Sequence, residues 1–197
     1  MPRIYKVLDS AFCKMLNVVT YIHQGFWLGC FGSRSLQEIT RLQYQSCDTY
    51  FSESHNRSGL MKWERGVLNQ FFTQQSTILV AAAGGGREII ALHDLGHVAD
   101  GFDCLEELVS SGRRLLDHDG IRCKFEISEP GCVPNLFNQY DAIIVGWGGY
   151  MHIPGKQRRI DFLRQLHEHS KPGAPIMLSF FTRTGTSTRF KWIERLA

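Results

Sequence analysis

The sequence has no C-x-x-C pair. Its six cysteines, Cys13, Cys30, Cys47, Cys104, Cys123 and Cys132, are scattered through 197 residues. Disulfide frameworks belong to short secreted chains, so these are read as reduced, small apolar residues. Charge of one sign is also scarce. A net charge of +3 falls short of the dense basic face of nucleic-acid binders, which excludes that partner class. Arg183, Arg189, Lys191 and Arg195 read as a solvated helix face. Long apolar runs are missing too. The opening "MPRIYKVLDSAFCKMLNVVTYIHQ" is interrupted by charged and polar residues, so it is neither a signal peptide nor a membrane span. The expectation is a soluble, cytoplasmic protein with no membrane partner. Repeats and low-complexity segments are absent. What is present, 43% apolar and 21% charged residues, is the mix of a packed globular core.

Two regions differ in rhythm. Residues 1–74 hold aromatic and amphipathic pieces without a strong strand signal. In "SRSLQEITRLQYQ" Leu36, Ile39, Leu42 and Tyr44 fall near helical spacing, with Ser35 as a cap. "GLMKWERGVLNQFF" repeats the pattern with Leu60, Trp63, Val67, Leu68, Phe71 and Phe72. This N-terminal region is expected as a helical lid or substrate region, and 75–197 as the ligand-binding domain. There, strands at 77–82, 98–102, 122–127, 142–145 and 176–181 alternate with helices at 87–95, 105–116 and 156–169. Ile89, Ile90, Leu92 and Leu95 form the inner face of the first of these helices. Alternation with short connections means an α/β fold, an open and mostly parallel sheet with helices on both faces.

Between the first strand and the first helix stand three glycines, "STILVAAAGGGRE". That is where an open α/β sheet binds ligands. Glycine lets the chain turn sharply and lets a ligand approach the bare backbone, although tight packing alone also selects glycine. Asp103 ends the second strand, 17 residues after Gly86. An acid there accepts both hydroxyls of a ribose, and it also serves as a helix cap. A dinucleotide turn would need glycine where Ile89 stands, which argues against a nicotinamide enzyme. No Gly-Lys-Ser/Thr follows the turn, which excludes a phosphate loop of that type. His93 and His97 are four apart, but Gly96 ends the helix between them, so no metal is expected.

With "AAAGGGRE", "GFD", "QYDAIIVGWGGYMHI" and "KPGAPIMLSFF" in this order over residues 76–181, the chain resembles the class I S-adenosylmethionine-dependent methyltransferases, with a Rossmann-like fold. The resemblance implies S-adenosylmethionine as cofactor. Ala82, Gly84 and Gly86 would border its methionine part, and Asp103 would hold the ribose. Cys104 would lie beside the adenine, Ser128 and Glu129 near the adenine amine, and Gly146 and Trp147 along the floor. Two departures stand out. Val80 occupies the place of an acid at the end of strand one, and Ala82 replaces a glycine, so either cofactor binding is weaker or another residue such as Glu88 supplies the carboxylate. The family fold closes with two further strands. Residues 182–197 are too few for both, and Phe190, Ile193 and Leu196 recur at helical steps. The expectation is a C-terminally incomplete sheet, its edge met by a homodimer or by a completing chain.

Methyl transfer mainly needs alignment, and a base only where the acceptor must lose a proton. His152 and Tyr150, after the fourth strand, are the candidate bases, against a structural role for a loop histidine. Tyr50, His55, Arg57 and Trp63 are candidate lid residues over cofactor or acceptor, against a simple packing patch. The leading function is methyl transfer to a small-molecule acceptor. The alternative is a non-catalytic methyltransferase-like subunit or partner-binding protein.

Overall fold

The computed structural model of the chain describes residues 2–73, 75–135 and 139–180. It divides into two compact units, Met1–Ser46 and Cys47–Ala197. The boundary expected near residue 74 therefore lies within the second unit. The helix anticipated after Phe181, in place of two further strands, lies outside the described residues.

The first unit is two helices, α1 (Pro2–Cys30) and α2 (Ser33–Gln45), joined by Phe31 and Gly32. In α1, apolar residues such as Ile4, Leu8, Met15, Val18 and Ile22 are spaced along one face, and all are exposed. Among the described residues no helix is long and apolar enough to cross a membrane. In α2 the cap position is Gly32, and Ser35 sits inside the helix rather than capping it.

The second unit begins with three short helices: α3 (Asp48–Phe51), α4 (Glu53–Asn56) and α5 (Lys62–Phe71). Five parallel strands follow: β1 (Thr77–Ala81), β2 (Val98–Asp103), β3 (Phe125–Ile127), β4 (Ala142–Val145) and β5 (Ile176–Met177). Their order is β3-β2-β1-β4-β5. Between them run α6 (Arg87–Asp94), α7 (Glu106–His118) and α8 (Lys156–Glu168). The order reverses between β1 and β4, so the crevice at their carboxyl ends is the switch point where such sheets take ligands.

Side chains alternate across a strand, and both faces of β1 are apolar because helices cover both. Ile78 and Val80 join Leu68, Ile89, Leu92, Val109 and Leu116 in one core layer. Leu79 and Ala81 join Phe102, Ile143, Val145, Phe162 and Leu166 in the other. Leu95, expected inside, is exposed, because α6 ends at Asp94 and Gly96 turns the chain at φ 84°. The third strand starts at Phe125 rather than Arg122. Ahead of it the Lys124 N–H donates to the Asp100 carboxylate at 2.7 Å, a side-chain contact in place of a ladder bond.

Candidate functional site

β1 ends in a turn that reverses over its own carboxyl end before α6 starts. Ala82, Gly84 and Gly86 all take left-handed backbone, with φ of 53°, 55° and 93°. Glycine adopts this conformation freely and alanine does not. The three glycines do different things. A side chain at Gly84 would meet nothing within 4 Å, so this is the glycine whose bare face is open. A Cβ on Gly85 would come within 2.5 Å of the Asn56 amide and 2.6 Å of the Tyr50 carbonyl oxygen. On the other side, a Cβ on Gly112 of α7 would stand 2.8 Å from the Gly85 carbonyl. Gly85 is therefore bare because α3 and α4 converge on it, and Gly112 is bare in turn because the Gly85 carbonyl passes close to it. Gly86 opens α6, and a Cβ there would touch Leu116 at an ordinary 3.6 Å.

Asp103 is tied to this turn. Its Oδ2 accepts from the Gly84 N–H at 2.8 Å and its Oδ1 from the Leu105 N–H at 3.0 Å. It thus supports the start of α7 and the glycine turn together. Burial pushes its carboxyl above the usual range, and the Gly84 and Leu105 N–H groups pull the other way. Each oxygen keeps acceptor capacity beyond these bonds. The Cys104 thiol is pushed up to about 12 by burial of its sulfur and then by the Asp103 charge beside it. A thiol raised in this way stays protonated at neutral pH, although the residue itself is exposed. The Ser128 N–H donates to the Asp103 carbonyl at 3.0 Å, which brings the end of β3 to the same edge. Glu129, next to it, is exposed.

The turn after β4 comes in from the other side. A Cβ on Gly146 would collide with the Ala82 carbonyl oxygen at 2.2 Å. One on Gly149 would collide with the Ala82 Cβ at 2.5 Å. Trp147 is 45% exposed beside them. Tyr150 and His152 lie in the 3-10 turn Gly149–His152. Tyr150 leans on the apolar layer beneath, while His152 is exposed, with partial burial lowering its pKa.

Of the candidate lid residues, Tyr50 and His55 stack edge-to-face at 5.4 Å, next to the Gly85 contact. Burial, then the Arg87 charge, lowers the His55 pKa. Arg57 is engaged elsewhere. It grips Asp119 with both terminal nitrogens and also bonds Glu53. Asp119 lies seven residues past Gly112, about 10 Å further along α7. Trp63 stands on the exposed face of α5.

The buried anchor of this region escaped sequence reading. Arg87 donates to both Glu64 oxygens at 2.9 and 2.8 Å, to the Gly59 carbonyl at 2.8 Å and to Glu88 at 2.5 Å. Glu64 also accepts from the Met61 N–H at 2.6 Å. Burial opposes the Arg87 charge, but the Glu64 hydrogen bonds and the two carboxylates outweigh it and raise its pKa. Glu88 is engaged by Arg87, and its pKa is raised, by burial first. It is not placed to replace an acid at Val80. Glu64 and Asn56 stand in the polar and aromatic stretch of residues 50–64 that the sequence does mark, whereas nothing marks Arg87 as the partner of Glu64. Asn56, 3% exposed, donates to the Tyr50 carbonyl at 3.1 Å, and no periodicity marks it. As for metal, His97 accepts from the Ser76 N–H at 3.3 Å while His93 is exposed. Among the described residues no group of His, Cys, Asp and Glu could hold an ion.

No protein-family model and no curated protein matches the sequence. Solved structures do match by fold. The glycopeptide N-methyltransferase MtfA superimposes with a TM-score of 0.53 at 18% identity, over 62% of this chain and 54% of that one. The CcbJ methyltransferase from Streptomyces caelestis gives 0.54 at 18%, over 64% and 52%. A protein solved for the conversion of a disulfide bond into a thioacetal group during echinomycin biosynthesis gives 0.56 at 21%, over 71% and 59%. MtfA has also been solved with S-adenosylmethionine, with sinefungin and with S-adenosylhomocysteine. The match spans little more than half the length of these structures. At such identities the likeness is one of fold, and the fold is that of class I methyltransferases.

Proposed function

We propose that the chain binds S-adenosylmethionine in the crevice over the glycine turn and transfers its methyl group to a small-molecule acceptor. The observation that carries this reading is the joint placement of Gly84 and Asp103: an open, side-chain-free turn with a buried carboxylate hydrogen-bonded to its backbone. These residues fit an adenosine-bearing ligand. Asp103 would accept ribose hydroxyls with its remaining lone pairs, and Gly84 and Gly86 would border the amino-acid end. Gly146, Trp147, Cys104, Ser128 and Glu129 would line the rest. When bound, S-adenosylmethionine supplies a methyl group activated by a sulfonium.

The chain's own work is then to orient and to exclude water. The Trp147 ring can cover the acceptor side of the crevice. Tyr50 and His55, fixed against Gly85, can close the other. Where the acceptor is a hydroxyl or an ammonium group, His152 is the residue to take its proton. Its lowered pKa keeps Nδ1 or Nε2 free of a second proton at neutral pH. Tyr150, in the same turn, is the second candidate. Transfer from labelled S-adenosylmethionine to a panel of small hydroxyl and amine acceptors, after titration calorimetry of the cofactor itself, tests the proposal. No heat of binding at millimolar cofactor would end it.

A second reading is a methyltransferase-like chain without cofactor. Two observations favour it: Val80 stands in place of an acid, and Arg87 holds Glu88. The same calorimetry separates the two readings.

A further inference from the structure

Ala82 breaks a local rule. Alanine in the left-handed region is strained, and such residues persist where their surroundings over-determine them. At φ 53° a glycine would cost nothing, so the methyl group needs a reason. The surroundings supply one. The Ala82 carbonyl fills the place a Gly146 side chain would take, and the Ala82 methyl fills the place a Gly149 side chain would take. The Gly146 N–H also donates to the Ala81 carbonyl at 2.8 Å. Gly148, between the two, turns at φ 78°, and its N–H donates to the Ser179 hydroxyl at 3.2 Å. The turn after β4 is thus wrapped around one alanine, with glycine at each point where Ala82 presses against it.

We infer that Ala82 is a positioning residue: its methyl group seats the Gly146–His152 turn and so fixes where Trp147 and His152 stand over the crevice. The inference rests on the proposed methyl transfer for its catalytic meaning, but the contact itself does not. Were Ala82 only a tolerated replacement for glycine, Ala82→Gly would relieve strain and change nothing else. If the methyl seats the turn, its removal leaves a gap beneath Gly149, and the turn loosens although the backbone is relaxed.

Moving the methyl group across the gap gives the test. Gly149 is outside the left-handed region, so Gly149→Ala faces no backbone strain of its own and acts only by collision with Ala82. The double variant Ala82→Gly/Gly149→Ala puts one methyl group back between the two turns. Trp147 emission reports the seat without any ligand, in a chain where Trp27, Trp63 and Trp192 are Phe. Acrylamide quenching of Trp147 should rise about twofold in Ala82→Gly. Gly149→Ala should lower the melting temperature and weaken S-adenosylmethionine binding by about tenfold or more, as misplacement of a site does. The double variant should return quenching and melting to the starting chain and binding to within about threefold. Wild-type quenching in Ala82→Gly overturns the inference. So does a double variant no better than Gly149→Ala, including one that fails to fold. A parent chain that does not bind the cofactor ends the functional reading, while quenching and melting still decide the seat.

Discussion

Two arginines fasten the helices of residues 47–72 to the helices α6 and α7 that cover the sheet, and they do it in opposite settings. Arg87 reaches from α6 to Glu64 of α5, with side chains 5% and 2% exposed. Arg57 reaches from the end of α4 to Asp119 at the end of α7, with side chains 38% and 16% exposed. Both grip a carboxylate with two nitrogens. In water such a grip gains little, because solvent would satisfy the partners equally well. In the core, losing one partner strands a charge that water cannot reach. The same pairing is therefore an obligatory tie in one place and a decoration in the other. Sequence reading singled out Arg57 and passed over Arg87, because an exposed polar cluster is visible in a string of letters and a buried partnership is not.

The largest effect should come from Arg87→Met. It leaves Glu64 and Glu88 buried without their cation and should cost about 3–5 kcal/mol of folding stability in urea or guanidinium unfolding. Adding Glu64→Leu should recover part of that loss, because one of the two stranded carboxylates goes with it. A single variant as stable as the parent would mean that water reaches this cluster.

Next comes Asp103, buried like Arg87 and, under the proposed function, a ligand contact as well as a tie within the fold. Asp103→Ala removes a charged acceptor of the Gly84 and Leu105 N–H groups. It should weaken S-adenosylmethionine binding by about 1.5–3 kcal/mol, roughly ten- to a hundredfold by calorimetry. The cost to folding should be about 1 kcal/mol, as for a lost cap. A large loss of stability with unchanged affinity would make Asp103 a structural residue alone.

A third tie lies between the extremes, since it is buried but neutral. The Ser76 N–H donates to Nδ1 of His97, so this nitrogen must stay unprotonated. Burial lowers the His97 pKa below its ordinary 6.5. The folded chain then holds fewer protons than the unfolded one in that window. Stability should fall as pH drops through about 6.5 and level off below the folded pKa. His55 and His152 are lowered in the same direction and add to the slope. In His97→Asn, whose amide oxygen can still accept, only their share should remain in unfolding curves taken from pH 8 to 5.

The strand-helix alternation was legible because β1 and β4 are short and apolar on both faces, as central strands of a doubly covered parallel sheet are. β4 was readable to its ends, bounded by Asp141 and Gly146. The glycine turn and Asp103 were readable because local conformation and strand-end chemistry leave marks within a few letters. Division of labour within the turn was not. Gly85 is bare on account of Tyr50 and Asn56, which are 35 and 29 residues away in sequence. Nor was α1 legible as one helix of 29 residues. Its charged and polar interruptions served only to exclude a membrane span, whereas in the helix Ile4, Leu8, Met15, Val18 and Ile22 share one face.

Arg57 should give the smallest effect, and its smallness is informative. Its guanidinium is shared between Asp119 and Glu53, and hydrogen bonds to both raise its pKa. Asp119, bonded by Arg57 first and then by His118, is held below the usual carboxylate range. These shifts describe partners in contact with solvent, where side-chain ordering and screening cancel most of the gain. Arg57→Ala should leave the melting temperature unchanged in about 0.5 M salt, where the Debye length shrinks to a few ångströms. At low ionic strength a slight decrease should appear, and the same salt titration should leave the Arg87→Met deficit intact, because that cluster is shielded from ions. If Arg57→Ala instead matches Arg87→Met at every salt concentration, the contact at Asp119 is dry. The two arginines would then be equivalent ties, and the contrast drawn from their burial would fall.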